Sequence, residues 1–113
     1  MGVNSRAALA MATRVMRQRI IEGHMANGVT FVDPATAYID VDVRIGEDTV
    51  IGPYTFLHGQ VAIGGECQIG PMTTLIDCAL GNGVHVFHSY LEACEVLDGC
   101  RIGPFQREFC CSG

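Results

Sequence analysis

Aliphatic residues recur at a spacing of six along most of the chain, beginning at Ile39. Cutting the sequence at these positions gives nine units of six residues and three units of five. Because aliphatic residues make up about a quarter to a third of an ordinary chain, twelve matches in one register indicate an internal repeat. The first positions are Ile39, Ile45, Ile51, Leu57, Ile63, Ile69, Leu75, Leu80, Val86, Leu91, Val96 and Ile102.

Two further positions of the repeat are restricted in residue type. The second is often Gly, and the fifth is small or β-branched in eight of the six-residue units. This pattern predicts a narrow three-sided prism, in which each side is a short strand with one large and one small inward residue. Three sides bring the chain back onto its previous coil, so that stacked coils bury each other's apolar faces. Twelve sides make about four coils. The fifth-position residues are Val43, Thr49, Thr55, Val61, Cys67, Thr73, Val84 and Cys100.

Three units are one residue short, yet each keeps its aliphatic first position and has Cys or Ser at its fourth position. We expect the corners of the prism to absorb the missing residue while the inward register is kept. The short units are residues 75–79, 86–90 and 91–95. Four cysteines are thereby predicted to be small core residues with buried thiols, namely Cys67, Cys78, Cys94 and Cys100.

Residues 5–27 are predicted to form one α-helix before the repeat. Asn4 or Ser5 can serve as its N-cap, and Gly28 is a typical stop just past the last turn. His24 lies near the C-terminal end, where the helix dipole favours positive charge. The apolar stripe is narrow and has Arg around it, so this helix needs a partner surface. Its members are Leu9, Ala12, Met16 and Ile20. Residues 29–32 then have strand composition, and a turn follows at residues 33–34.

Composition narrows the class of protein further. A chain of 113 residues with 49% hydrophobic content is one globular domain at most. No apolar run is long enough to span a membrane, and no apolar segment fits a secretory signal. The Arg-rich start is typical of organelle transit peptides too, but its continuation into a capped helix favours the helix. Without a secretory signal, the six cysteines indicate thiols in a reducing, cytoplasmic compartment.

Charge is unevenly distributed along the chain. Residues 1–24 carry a net charge of +3, whereas residues 25–113 carry −8. An acidic body of this kind repels nucleic acid, so no nucleic-acid partner and no membrane partner are predicted. The basic helix could instead bind an anionic surface, but packing onto its own acidic body or a neighbouring subunit is the simpler interpretation.

Four histidines are the candidate acid–base groups. His24 is on the helix, and His58, His85 and His88 fall at outward or corner positions of the coil. We interpret all four as solvated surface residues, and we predict no catalytic residue. A metal site made of His85, His88 and Cys94 is not predicted either, because the spacing fits no metal cluster and Cys94 should point into the core.

Neighbouring carboxylates are a second candidate for acid–base chemistry. Asp40 and Asp42 should alternate with the inward residues Ile39, Val41 and Val43, which places both carboxylates on the outer face as solvated charges. Glu47 and Asp48 are interpreted in the same way. Gly64-Gly65 is a repeat corner and not a nucleotide-binding loop. The pair Cys110-Cys111 lacks the CxxC spacing of a redox site and lies in the terminal segment.

The repeat resembles the left-handed β-helix acyltransferase superfamily, and this likeness supplies the handedness, since right-handed crossovers are the general rule. Four segments resemble the bifunctional UDP-N-acetylglucosamine pyrophosphorylase / glucosamine-1-phosphate N-acetyltransferase family. The resemblance as a whole extends over residues 3 to 105. The four segments are VNSR at 3–6, HMANGVT at 24–30, DPATAYID at 33–40 and IGPF at 102–105. The implied fold is mainly β: a left-handed parallel β-helix of about four coils with one N-terminal α-helix.

This resemblance implies an arrangement of domains. Residues 1–28 correspond to the family's linker helix, residues 29–105 to its first β-helix coils, and residues 106–113 to a non-family tail. In the family a uridylyltransferase domain precedes the helix, and further coils carry the acetyltransferase site. Phe109 stands where the family has a substrate-binding Arg, which truncation, a frameshift or a fusion would explain.

Two functions follow from the resemblance. The first is a homotrimer-forming β-helix module related to bacterial cell-wall precursor biosynthesis, non-catalytic alone and without a cofactor. The second is an acetyltransferase that uses acetyl-CoA on an amino sugar phosphate at subunit interfaces. Against the second, no projecting loop or basic pocket is visible to hold the phosphates of coenzyme A.

Overall fold

The computed structural model describes residues 5–109, which form one α-helix followed by fourteen short strands. Helix α1 spans Ser5–Ala26, and a 3-10 turn spans Pro34–Thr36. The strands, in chain order, are β1 Thr30–Phe31, β2 Ala37–Ile39, β3 Arg44–Ile45, β4 Val50–Ile51, β5 Thr55–His58, β6 Ala62–Ile63, β7 Gln68–Ile69, β8 Thr73–Ile76, β9 Ala79–Leu80, β10 His85–Val86, β11 Tyr90–Glu92, β12 Glu95–Val96, β13 Arg101–Ile102 and β14 Arg107–Phe109.

Every third strand belongs to the same sheet. Sheet A has the order β1-β4-β7-β10-β13, sheet B the order β2-β5-β8-β11-β14, and sheet C the order β3-β6-β9-β12. All of the pairings are parallel, so each coil lies directly on the one before it. This arrangement confirms the predicted parallel β-helix of about four coils with one helix.

Aliphatic side chains from the first repeat position fill the interior of the prism. In sheet B, Leu57, Leu75 and Leu91 are matched in register and have no exposed surface. Ten of the twelve first-position residues are buried, while Ile45 and Ile102 are partly buried against the same core. The register of the repeat is therefore confirmed.

The inward Thr and Ser residues near two of the corners donate hydrogen bonds to corner carbonyls. At the corner between sheets A and B, called corner AB, the Thr55 hydroxyl donates to the Gly52 carbonyl at 2.9 Å. Ser89 does the same toward the Phe87 carbonyl at 2.9 Å. At corner CA, between sheets C and A, Thr49 donates to the carbonyl of Gly64 at 2.8 Å. A hydroxyl or thiol here satisfies a corner carbonyl that turns away from the strand ladder.

Glycine at the second repeat position allows the coils to stack. A Cβ placed on Gly64 would lie 2.6 Å from the Gly81 carbonyl oxygen, and one on Gly46 would lie 2.7 Å from the backbone of Gly64. These distances are far inside van der Waals contact, so the corner backbones touch and leave no room for a side chain.

Cys67, Cys78 and Cys94 are buried as predicted, but the prediction for Cys100 is wrong. Cys100 is exposed, because it lies in the last coil and no described coil covers its inward side. The prediction that Val41 points inward is also wrong. Val41 is 73% exposed and lies in the turn between β2 and β3, where Val43 N donates to the Asp40 carbonyl and interrupts the alternation.

Helix α1 contacts the first coil only through its C-terminal half. Ile21 is its buried residue, and Ile20 packs against the core from a partly exposed position. The predicted stripe residues Leu9 and Met16 are 68% and 53% exposed, so residues 5–109 leave them largely uncovered. The helix ends one residue before the predicted boundary, and Gly28 follows with a φ of +92°. Among residues 5–109, no helix has a long enough apolar stretch to cross a bilayer.

Strand β14 lies within the segment predicted to be a tail. It pairs in parallel with β11, and the register matches Arg107 with Tyr90 and Glu108 with Leu91. Residues 107–109 thus add a fifth strand to sheet B. Cys110 and Cys111 lie outside the described residues.

Candidate functional site

The four histidines do not form one cluster, although His85 and His88 line the same cleft on the outer surface. His58 lies on sheet B, where its Nδ1 is 3.5 Å from Oδ1 of Asp40. His85 lies on sheet A and its Nε2 contacts Oε1 of Gln68. His88 occupies corner AB, with its ring 5.9 Å from that of Phe105. His24 lies in the last turn of α1, with its ring 6.5 Å from Phe31. The structure therefore does not bring the four into one catalytic group.

His85, His88 and Cys94 lie on different sides of the prism wall. Cys94 is 3% exposed and its thiol donates inward to the Glu92 carbonyl at 3.4 Å. His85 is half-buried on the outer surface, and His88 is exposed. Within residues 5–109 no group of three His, Cys, Asp or Glu side chains is placed to hold a metal ion.

The corner carboxylates have a structural role that the sequence analysis missed. Asp40 was predicted to be a solvated charge, but its Oδ2 accepts a hydrogen bond from Gly59 N of the next coil at 2.9 Å. Asp77 accepts from Gln60 N at 2.9 Å, and Asp98 accepts from Asn82 N at 2.8 Å. Each carboxylate thus joins one coil to a neighbouring coil. Carboxylates engaged in this way are positioned for stability rather than for proton transfer.

The outer surface of sheet A forms one shallow cleft of about 280 Å³. The guanidinium of Arg101 lies 5.1 Å above the ring of Phe87, and the ring of His85 meets that of Phe87 edge-on. The cleft is lined by Gln68, Gly70, Pro71, His85, Phe87, His88 and Arg101. An imidazole and a guanidinium are groups suited to an anionic ligand, but the volume lies slightly below the usual range of ligand pockets, which begins at about 300 Å³.

A second cleft, of about 330 Å³, follows the junction between α1 and the first coil. Arg17 crosses this junction, since its guanidinium donates to the Ala35 carbonyl at 3.3 Å and lies 4.2 Å above the Tyr38 ring. The Tyr38 ring in turn stacks on Phe56 at 4.9 Å. This set of contacts attaches the helix to sheet B, and we interpret the cleft as a packing junction.

Among the described titratable groups, three have a pKa shifted from its ordinary value. Burial raises the pKa of the Cys78 thiol, which keeps it protonated and inert. A hydrogen bond to Glu92 raises the pKa of Tyr90. Partial burial lowers the pKa of His24, although it lies at the helix end where the dipole favours positive charge. Desolvation therefore outweighs the dipole at this histidine.

The lowered pKa of His24 predicts that acid weakens the fold. In the unfolded chain this imidazole titrates near its ordinary value of about 6.5, above its folded pKa. Its contribution to stability is present above about pH 6.5 and is lost as the pH falls through the folded value. Urea midpoints measured at pH 7.5 and 5.5 should therefore fall further for the natural chain than for His24→Gln. Equal falls in the two proteins would contradict this assignment.

Comparison with known proteins identifies related sequences. Residues 42–77 match the family described as bacterial transferase hexapeptide (six repeats). The chain is 50% identical over 104 residues to the bifunctional protein GlmU of Caldanaerobacter subterraneus subsp. tengcongensis, covering 92% of this chain and 23% of that protein. It is 52% identical, with the same coverage, to the bifunctional protein GlmU of Lactobacillus delbrueckii subsp. bulgaricus strain ATCC BAA-365.

The same similarity extends to the bifunctional protein GlmU of Mycobacterium bovis, at 48% identity over 92% of this chain and 21% of that protein. The resemblance found in the sequence is thereby confirmed, and the chain contains hexapeptide repeats. It spans about a quarter of the length of the curated relatives that it matches.

Proposed function

We propose that this chain, a hexapeptide-repeat β-helix similar to about a quarter of bifunctional GlmU proteins, is a homotrimer-forming module that is non-catalytic alone. The observation that carries the proposal is the uninterrupted stack of coils. Matched aliphatic columns fill the prism through all three sheets, and between residues 30 and 109 short corners join the strands without a projecting loop. Such a structure is built to present long outer surfaces to other subunits.

The arrangement of polar groups supports the non-catalytic part of this proposal. His24 and His58 are not part of the cleft that His85 and His88 line, and carboxylates such as Asp40 and Asp77 are engaged in joining coils. Acid–base catalysis needs a base within hydrogen-bond reach of a reacting group and a partner that orients it. On the described outer surface the candidates are the His58–Asp40 pair, whose carboxylate also accepts a hydrogen bond from Gly59 N, and the cleft at His85 and Arg101.

That cleft favours a second candidate function, an acetyltransferase that uses acetyl-CoA on an amino sugar phosphate. Arg101 would hold a phosphate and His85 would accept a proton from the amine. A body with a net charge of −8 over residues 25–113 opposes the phosphates of coenzyme A, which is why this function is the alternative.

An acetylation assay separates the two functions. The purified chain is given acetyl-CoA and glucosamine-1-phosphate while light scattering measures its molar mass. We expect three times the 12.1 kDa of one chain and no turnover above a blank without protein. Turnover that His85→Ala and Arg101→Ala abolish would overturn the non-catalytic proposal, whereas turnover equal in both variants would trace to a contaminant.

We also propose a cytoplasmic location for this module. Two buried cysteines, Cys67 and Cys78, form no disulfide in the described structure. Thiols of this kind are typical of a reducing compartment.

A further inference from the structure

Two asparagines of the described chain are each followed by a glycine. They are Asn27, directly after helix α1, and Asn82, at corner CA. Corner AB and corner BC, the latter between sheets B and C, contain no asparagine. An Asn-Gly pair favours attack of the backbone on the asparagine side chain, because glycine has no Cβ to hinder the approach. The two pairs have the same intrinsic chemistry, so their surroundings decide which one reacts.

The reaction begins when the backbone nitrogen of the glycine attacks Cγ of the preceding asparagine. A bond forms between this nitrogen and Cγ, the bond from Cγ to Nδ2 breaks, and the side-chain nitrogen leaves as ammonia with the proton of the glycine amide. The product is a cyclic succinimide. Water then opens the ring at either of its carbonyl carbons, which yields aspartate or isoaspartate. Asparagine and water thus give a carboxylic acid and ammonia, without an enzyme or a cofactor.

Asn82 is fixed by hydrogen bonds to the coils on both sides of it. Its Oδ1 accepts from Gly65 N at 2.8 Å, and its backbone nitrogen donates to Oδ1 of Asp98 at 2.8 Å. The attacking nitrogen, Gly83 N, donates to the Gly65 carbonyl at 3.0 Å. Both reacting groups are therefore bonded to the same residue of the coil below. Ring closure at Asn82 requires that both of these bonds open first.

Asn27 has fewer restraints than Asn82. Asn27 and Gly28 are both exposed, and within residues 5–109 the Asn27 side chain makes no hydrogen bond. Gly28 N takes part in one bond at the end of the helix, to the Met25 carbonyl at 3.1 Å. Bonds at a helix end open at a lower free-energy cost than bonds between packed core strands. The surroundings therefore favour reaction at Asn27.

The main chain at Asn27 connects α1 to the first coil. Val29 N donates to the His24 carbonyl at 3.1 Å, and the Gly28 carbonyl accepts from Asp48 N at 2.9 Å. Isoaspartate sends the main chain through the former side-chain carbonyl, which lengthens it by one methylene group inside the turn that the first bond closes. The two bonds cannot then both keep their present geometry. A change at this single residue therefore weakens the connection between the helix and the coil.

We propose that Asn27 is a site of spontaneous deamidation, and that its isoaspartate product loosens α1 from the first coil. Because the reaction needs water alone, the modified fraction increases with the age of the molecule. The aspartate product adds a negative charge at the C-terminal end of the helix, where the helix dipole opposes it. Both products weaken the same attachment, and isoaspartate does so more strongly because it changes the course of the main chain.

Peptide mapping by mass spectrometry tests the site. The natural chain is incubated in mildly alkaline buffer, folded or unfolded in urea, and sampled over time. In the folded chain we expect Asn27 to convert at least about fivefold faster than Asn82, because each hydrogen bond that must open first slows the reaction by a factor of about two to ten. In urea the two rates should be similar. Equal rates in the folded chain, or a folded chain in which Asn27 stays intact while the unfolded chain converts, would overturn the site.

Trypsin cleavage within α1, after Arg14, Arg17 or Arg19, measures the loosening of the helix. The matched control is Asn27→Gln, which keeps the amide but closes a larger ring much more slowly. Asn27→Asp adds the charge without lengthening the main chain. We expect incubation to speed cleavage of the natural chain but not of Asn27→Gln, and fresh Asn27→Asp to lie between the fresh and the incubated natural chain. Converted protein that is cleaved no faster would overturn the loosening, and a rise that Asn27→Gln shares would overturn its assignment to Asn27.

Discussion

Leu75→Ala should lower the free energy of unfolding by about 2–5 kcal/mol. Leu75 occupies the centre of the sheet B column, between Leu57 in the coil below and Leu91 in the coil above. None of the three side chains is exposed. Removal of three side-chain carbons leaves a cavity, which neighbouring coils cannot close because their backbone hydrogen bonds fix the coil spacing. Urea titration at a fixed protein concentration measures the change.

The matched control for this prediction is Thr74→Ala, at the adjacent position of the same strand. Thr74 faces outward, so its truncation should change the unfolding free energy by less than about 0.5 kcal/mol. Equal losses in the two variants would contradict the assignment of Leu75 to the inner face and Thr74 to the outer face of sheet B.

Gly64→Ala should destabilise the protein by about 2–3 kcal/mol through crowding instead of a cavity. The added methyl group would lie 2.6 Å from the Gly81 carbonyl oxygen and would also meet the amide oxygen of Asn82. That amide oxygen accepts a hydrogen bond from Gly65 N at 2.8 Å, so the corner loses a bond between coils as well. Thermal unfolding followed by circular dichroism, at one protein concentration, should show a lower midpoint.

Gly23→Ala adds the same methyl group where there is room for it. Gly23 lies within α1 and nothing approaches a Cβ there within 4 Å. Because Ala is the better helix former by about 1 kcal/mol, this variant should be as stable as the natural chain or more so. A loss of stability in both variants would show that the crowding at Gly64 is not the cause.

The sequence was sufficient to predict the architecture because the repeat sets the inward positions coil by coil. The column Leu57, Leu75 and Leu91 follows directly from the six-residue register and its one-residue deletions. The exceptions lie where the environment of a residue depends on what stacks against it. Cys100 has the inward position of Cys67 but no described coil above it, and Val41 lies in a turn that breaks the alternation.

The polar surface was harder to predict than the core. Asp40, Asp77 and Asp98 look like ordinary solvated acids in the sequence, since their partners lie 16 to 19 residues away. These sequence separations can be recognised as contacts only when the coil length and the corner geometry are known. The cleft at His85 and Arg101 is hidden for the same reason, because its residues come from three successive coils.

Coil length changes along the stack, and this makes the coils different from one another. The register offset is 18 residues between Thr55 and Thr73 but 16 between Thr74 and Tyr90. Spacing across corner CA stays at six residues in every coil, while corners AB and BC lose a residue. A coil moved to another level, or duplicated, would therefore meet neighbours of a different perimeter. The modules of this solenoid are not interchangeable, and engineered versions should exchange whole blocks of coils rather than single turns.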